Sequence, residues 1–285
     1  MRITKAALFV FAITLFTTNI FAQGAYVNLN AGYGFSMSSQ VMMFNTKYDY
    51  LIDNSTGEES FSGSIENVKG SLGEGFNFGG VFGYMFNKHI GYEIGVSYLL
   101  GNTIESARES TTKIIEADGS ITTSTGITTN SLSSNMLRFT PSIVFTPGFE
   151  GIDPYVKFGM IIGIGSVKSE FAGDQFNSIQ KSKFNGGAAI GLTGAIGANF
   201  PVNDKMVFFG EINMVNMSYA PTKGEITEAI VNGKDVLSDS DKEIEFVDKV
   251  YPSSEYTPDS GPNQELKTKY PFGSVGINIG LKLSI

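Results

Sequence analysis

The chain of 285 residues contains no cysteine and no tryptophan, one histidine and only 9 prolines. The missing cysteines remove disulfides, thiolate nucleophiles and Cys-based metal sites together. The lone His89 cannot supply paired imidazoles for a metal, nor a Ser-His pair elsewhere in the chain. Long apolar runs are equally scarce. After Phe21 no stretch approaches the roughly twenty apolar residues of a membrane-spanning helix, which excludes a helical membrane bundle. Positive charge is also short, with 20 Lys+Arg against 28 Asp+Glu. So acidic a chain repels polyanions, and nucleic acid is not an expected partner.

The one long apolar run is N-terminal. Arg2 and Lys5 precede Ala6 to Phe21, and Ala22 and Gln23 follow. A charged start, an apolar stretch and a small residue at the junction predict a cleaved secretory signal over 1–22, with bulky Ile20 its one departure from pattern. Its removal takes two positive charges and leaves 18 Lys+Arg against 28 Asp+Glu, a net of −10. Residues 23–285 then form one domain with no internal repeat beyond a rhythm of hairpins.

What the chain has in abundance is glycine, at 34 residues, and Phe with Tyr, together 35. Both fall into period-two alternation, which places one apolar and one small or polar face on a strand. The C-terminal stretch is the clearest case. Val275, Ile277, Ile279, Leu281, Leu283 and Ile285 take one face, and Ser274, Gly276, Asn278, Gly280, Lys282 and Ser284 the other. Seven more segments read the same way: Ala25–Ser36, Gly75–Phe86, Ile90–Leu100, Asn135–Phe145, Pro154–Ser166, Phe184–Phe200 and Met206–Ser218. Each is about as long as a tilted membrane strand.

Short connections at 87–89, 146–153 and 201–205 alternate with long polar ones at about 37–74, 101–134, 167–183 and 219–270. The prediction is an all-β, transmembrane, antiparallel up-and-down barrel of about eight strands, its apolar face toward lipid and the terminal strand paired with Val27–Phe35. Both termini and the short turns would lie in the periplasm, and the long loops outside the cell.

The chain resembles the small OmpA/OmpX-like outer-membrane β-barrels in the form common among Bacteroidota. The residues that carry this are the Phe21-Ala22-Gln23 junction, Gly91-Tyr92-Glu93-Ile94-Gly95, Asn135-Met136-Leu137-Arg138, Asp153-Pro154-Tyr155-Val156-Lys157 and Gly280-Leu281-Lys282-Leu283. One departure is Ile285, where that family usually ends in an aromatic residue. The resemblance implies an outer-membrane location and contact with outer-membrane lipid and lipopolysaccharide. It also implies dependence on the barrel-assembly machinery during biogenesis, and a monomer. It describes barrel construction and not a chemical activity.

Candidate functional residues follow from strand parity. Glu93, Arg138, Lys157, Glu211 and Lys282 face the lumen, where charges need partners. They form an expected lumen charge network, with Lys282 set to meet Glu93 or Glu211. In the fourth long loop, which holds 11 acidic and 6 basic residues, Asp239, Asp241, Glu243 and Glu245 are candidate cation ligands. Their spacing lacks the glycine and closing glutamate of an EF-hand, and a solvated strand above the membrane explains them as well. Asp118-Gly119 predicts a hairpin tip in the second loop. Projecting strand edges there could pair with an extracellular protein. Tyr33, Phe35, Phe76, Phe78, Tyr98, Phe139 and Phe272 should form one outward aromatic belt, and Phe86, Tyr92, Phe145, Phe200 and Phe208 the other. His89 reads as a turn residue. The sequence thus predicts a protein that is not an enzyme, with no cofactor, no bound metal and a plugged lumen. Its role would be structural or adhesive through acidic loops; the rival expectation is a narrow porin-like channel or a conduit for small hydrophobic solutes.

Overall fold

The computed structural model describes residues 24–37, 40–238, 242–250 and 262–285. The expected signal at 1–22, with Asp239 and Asp241, lies outside them. Eight strands form the wall: β1 (Ala25–Ser36), β2 (Gly75–Met85), β3 (Ile90–Gly101), β4 (Ile121–Phe145), β5 (Asp153–Gly173), β6 (Ala189–Asn203), β7 (Met206–Tyr219) and β8 (Ser274–Ser284). Each pairs antiparallel with the next. β8 then returns to β1, with Val27 opposite Leu283 and Phe35 opposite Val275, so the wall is closed without an edge.

The register fixes the size of this cylinder. A circuit perpendicular to the strands runs Tyr26, Gly83, Glu93, Ser142, Gly159, Thr193, Val215 and Ser274, and comes back to β1 at Ser36, ten residues beyond its start. Eight strands with that stagger tilt by roughly 40° and enclose a backbone radius of roughly 8 Å. Such an interior is filled by side chains crossing from the wall.

Outward positions are apolar and open, as with Leu29 at 64% exposure and Ile196 at 70%. A band this apolar is stable against lipid and not against water. Phe35, Phe76, Phe78 and Phe139 ring the loop end, and Phe86, Tyr92, Phe145, Phe200 and Phe208 the turn end. Phe272 departs from its expected place. It is fully buried, because the chain turns inward at Pro271 before β8 begins.

Inward positions pair a large residue with a glycine on the next strand. Tyr26 lies opposite Gly83, Tyr155 opposite Gly197 and Phe209 opposite Gly280. A Cβ at Gly83 would collide with the Tyr26 ring, and one at Gly197 would sit 2.6 Å from Tyr155 Oη. The glycines therefore let these rings lie flat across the neighbouring strand and point their hydroxyls inward.

Above the loop end the wall continues as an open sheet, where the sequence indicates polar loops. Strand four runs 25 residues instead of the eleven that alternate, and strand five runs on to Gly173. Phe184 belongs to a separate strand, Ser178–Asn185, so the sixth wall strand starts later, at Ala189. In lateral order the crown contains Glu58–Lys69, Val41–Asp53, Ile104–Ile115, upper β4, upper β5, Ser178–Asn185, Lys223–Val231, Glu243–Val247 and Asn263–Leu266. The Asp118-Gly119 tip forms as predicted, with Gly119 at φ +83 between strands paired from Ile104↔Leu132 to Ile115↔Ile121. Both faces of this sheet are largely polar, so no alternation marks it.

Candidate functional site in the barrel interior

From the turn end upward, the first layer is aromatic. Tyr26, Tyr155, Phe209 and Val144 are buried there, and Lys282 Nζ stands 4.3 Å from the centroid of the Tyr26 ring. Lys282 therefore does not meet Glu93 or Glu211 directly; the ring face of Tyr26 takes its charge instead.

Above this lies an ion cluster. Lys157 Nζ is 3.1 Å from Glu93 Oε2 and 2.8 Å from Glu211 Oε2. The Tyr26 hydroxyl donates to Glu93 Oε1 at 2.7 Å, and the Tyr155 hydroxyl to Glu211 Oε2 at 2.9 Å. Asn278 Nδ2 adds a hydrogen bond to Glu211 Oε1 at 3.2 Å. Two buried carboxylates thus share one ammonium, and their remaining lone pairs are filled by phenols and an amide. That is the condition under which buried charge is tolerated. The tyrosines are placed by the glycines opposite them, so small inward residues and acidic ones act as one unit.

Arg138 stands apart from the cluster. Ser142 lies beside Glu93 in the register and Arg138 beside Ser97, four residues higher, or roughly 13 Å along the strand. Arg138 is 5% exposed, and its Nε and Nη2 have no hydrogen-bond partner. It faces a chamber of about 110 Å³, lined also by Asn30, Ser97, Thr140, Thr193 and Asn213.

Over the chamber sits an apolar layer that the sequence did not suggest. Leu99, Met136, Ile161, Val215 and Met217 come from the wall, and Leu72 and Phe272 from the loops. Leu72 N–H donates to Pro271 O at 2.9 Å, and Phe272 N–H to Met217 O at 2.9 Å. Ser134 Oγ donates to Leu72 O at 2.8 Å. The segments just before β2 and β8 are thereby tied to each other and to the wall. The available signal was a break in alternation at Gly70-Ser71-Leu72-Gly73 and at Pro271.

The loop and turn candidates are placed as follows. Glu243 and Glu245 are exposed on Glu243–Val247, with Glu225 and Lys223 across from them. Among the described residues, no three or more His, Asp or Glu side chains gather in a way that could hold a metal. His89 is an exposed turn residue whose backbone N–H donates to Asn87 Oδ1 at 2.8 Å.

Fold and interior together define a membrane-spanning β-barrel with buried charges in its lumen. No protein-family model matches the chain, and no curated protein matches it. Among solved structures it is similar to the outer membrane protein OprG from Pseudomonas aeruginosa. The identity is 12% and the TM-score 0.39, over 91% of this chain and 95% of that one. It is also similar to the outer membrane protease OmpT from Escherichia coli, at 8% identity and TM-score 0.34, over 95% and 99%. These values concern the fold and assign no activity. The second likeness nonetheless corrects the expectation of a protein that is not an enzyme, since one chain similar to this one is a protease. A single histidine does not exclude acid–base chemistry, and carboxylates also perform it.

Proposed function

We propose that the protein is a non-conducting outer-membrane barrel that presents its β-sheet crown, acidic in the fourth loop, at the cell surface for a structural or adhesive role. In this reading residues 1–22 are the cleaved export signal. Both termini and the short turns face the periplasm, and the crown faces outward. Membership of the OmpA/OmpX-like group common among Bacteroidota belongs to the same proposal, supported by the export junction and the strand motifs quoted above. So do contact with lipopolysaccharide, use of the barrel-assembly machinery, a monomeric state and an extracellular protein partner on the crown.

The observation that carries the proposal is the apolar layer of Leu72, Leu99, Met136, Val215 and Phe272 across the lumen, above the Lys157 cluster. Water and ions cross such a layer only at a high desolvation cost. A narrow channel is the rival, and the polar chamber below the layer is its one support. Planar-bilayer recording separates them. Purified protein should give no discrete conductance steps, and Leu99→Ala with Met136→Ala and Phe272→Ala should introduce them. Stable steps in the unaltered protein, reduced by substitution at Lys157 or Glu211, would overturn the proposal.

A further inference from the structure

We propose that the chamber in the middle of the barrel holds a small monovalent anion, a halide or a short-chain carboxylate, against the guanidinium of Arg138. The starting point is the pairing of charges in the interior. Three cations, Lys157, Lys282 and Arg138, face inward, against three carboxylates, Glu93, Glu211 and, at the turn end near Lys282, Asp153; the total balances, but the pairs do not reach Arg138. Glu93 and Glu211 are occupied, since each has Lys157 and a tyrosine hydroxyl. Lys282 rests on the Tyr26 ring near the turn end. Arg138 has neither a carboxylate nor a ring, and two of its nitrogens are buried without a hydrogen-bond partner.

An unpaired charge so buried carries a desolvation penalty that some partner must offset. Arginine cannot escape by losing its proton, unlike lysine. A neutral water layer would satisfy the N–H groups but leave the guanidinium with no counter-charge beside it. One negative ion satisfies both. The chamber is large enough at about 110 Å³, where one water needs roughly 10–15 Å³. Several of its other lining groups suit an anion as well: the hydroxyls of Ser97 and Thr140 and the amides of Asn213 and Asn30 can donate, Asn30 through the N–H that Asn28 Oδ1 does not take. A divalent anion fits poorly, since it would overshoot the single charge of Arg138 and face Glu93 and Glu211 from within the same chamber. Size excludes anything as large as a nucleotide.

The inference stands whether or not the barrel conducts. Its test uses the full barrel folded in detergent. Crystals grown in sodium bromide should show an anomalous peak in the chamber, within hydrogen-bond distance of the Arg138 guanidinium. Separately, unfolding midpoints should rise by a few degrees when gluconate is replaced by bromide or formate at equal ionic strength. Arg138→Met should abolish that response, and in gluconate it should melt above the unaltered protein, since it removes an unpaired buried charge. No peak in the chamber, with Arg138 found against Glu93 or Glu211, would overturn the proposal. So would an equal bromide response in Arg138→Met. Should that variant fail to fold, the bromide crystals decide alone.

Discussion

The two halves of β4 lie in different surroundings and carry different sequences. From Ser134 to Val144 the strand buries Ser134, Met136, Arg138, Ser142 and Val144 inside the barrel and turns Leu137, Phe139 and Ile143 to the outer surface. From Ile121 to Thr125 it is exposed throughout. Yet the register with β5 holds from Thr128↔Gly173 to Phe145↔Val156 without a shift. Backbone pairing alone carries the strand through both regions. The surroundings decide only which side chains each face takes, so the wall has a pattern and the crown has little.

The contrast can be broken most severely at the ion cluster. Lys157→Met should cost about 3–5 kcal/mol, because it strands two buried carboxylates. A drop in the urea midpoint of the folded barrel would register it. Adding Glu93→Gln and Glu211→Gln should restore most of the loss. In the crown, Lys181 pairs with Glu228 at 2.8 Å, but both side chains are over a third exposed. Lys181→Met should therefore leave the midpoint unchanged.

The outer surface offers the next comparison. Ile196→Arg, at mid-height on the lipid face, should destabilise by about 2–4 kcal/mol. Thr123→Arg, on the exposed crown, should fall within about 0.5 kcal/mol of the parent. Folding titrations into lipid vesicles would measure both, and equal costs would mean that the belt does not meet lipid.

The wall was legible in the sequence for the reason this contrast gives. A face in lipid must be apolar at every second residue, so the strand phases and the closing pair of β1 with β8 could be read directly. Inward charges could be read from parity as well. Their pairing could not, since it depends on how far one strand is staggered against the next. Lys282 illustrates this: parity puts it inside, and only the register with Asn28 and Val207 sets it at the height of the Tyr26 ring. The crown and the apolar layer were hidden for opposite reasons. The crown has no face that must be apolar. Leu72 and Phe272 sit on short non-strand segments with no period to read.

The smallest effect concerns acid. Hydrogen bonds from Ser55, and the Thr56 backbone N–H, hold the Asp53 carboxyl below its ordinary 3.8 at the tip of the first crown hairpin. A depressed value means the tip is held together above pH 3.8 and loosens as pH falls from there through the lowered value. Amide exchange at Ser55 and Thr56 should quicken over that window, and Asp53→Asn should flatten the response. An equal quickening at Tyr92 or Ile143 in the wall would show that the two regions do not respond separately.

The circuit that returns to β1 ten residues along has one more consequence. Ten is even, so a face that starts inside comes home inside, and the sheet has two true sides. Deleting one residue from the middle of any wall strand makes the stagger odd, as in a Möbius strip, where the lipid face runs continuously into the lumen. The barrel could then close only by opening a bulge or leaving a strand inside out. Losing two residues keeps the sides distinct and merely narrows the cylinder. Evolution can thus resize this barrel only in steps of two, while the crown above it is free to change by any number.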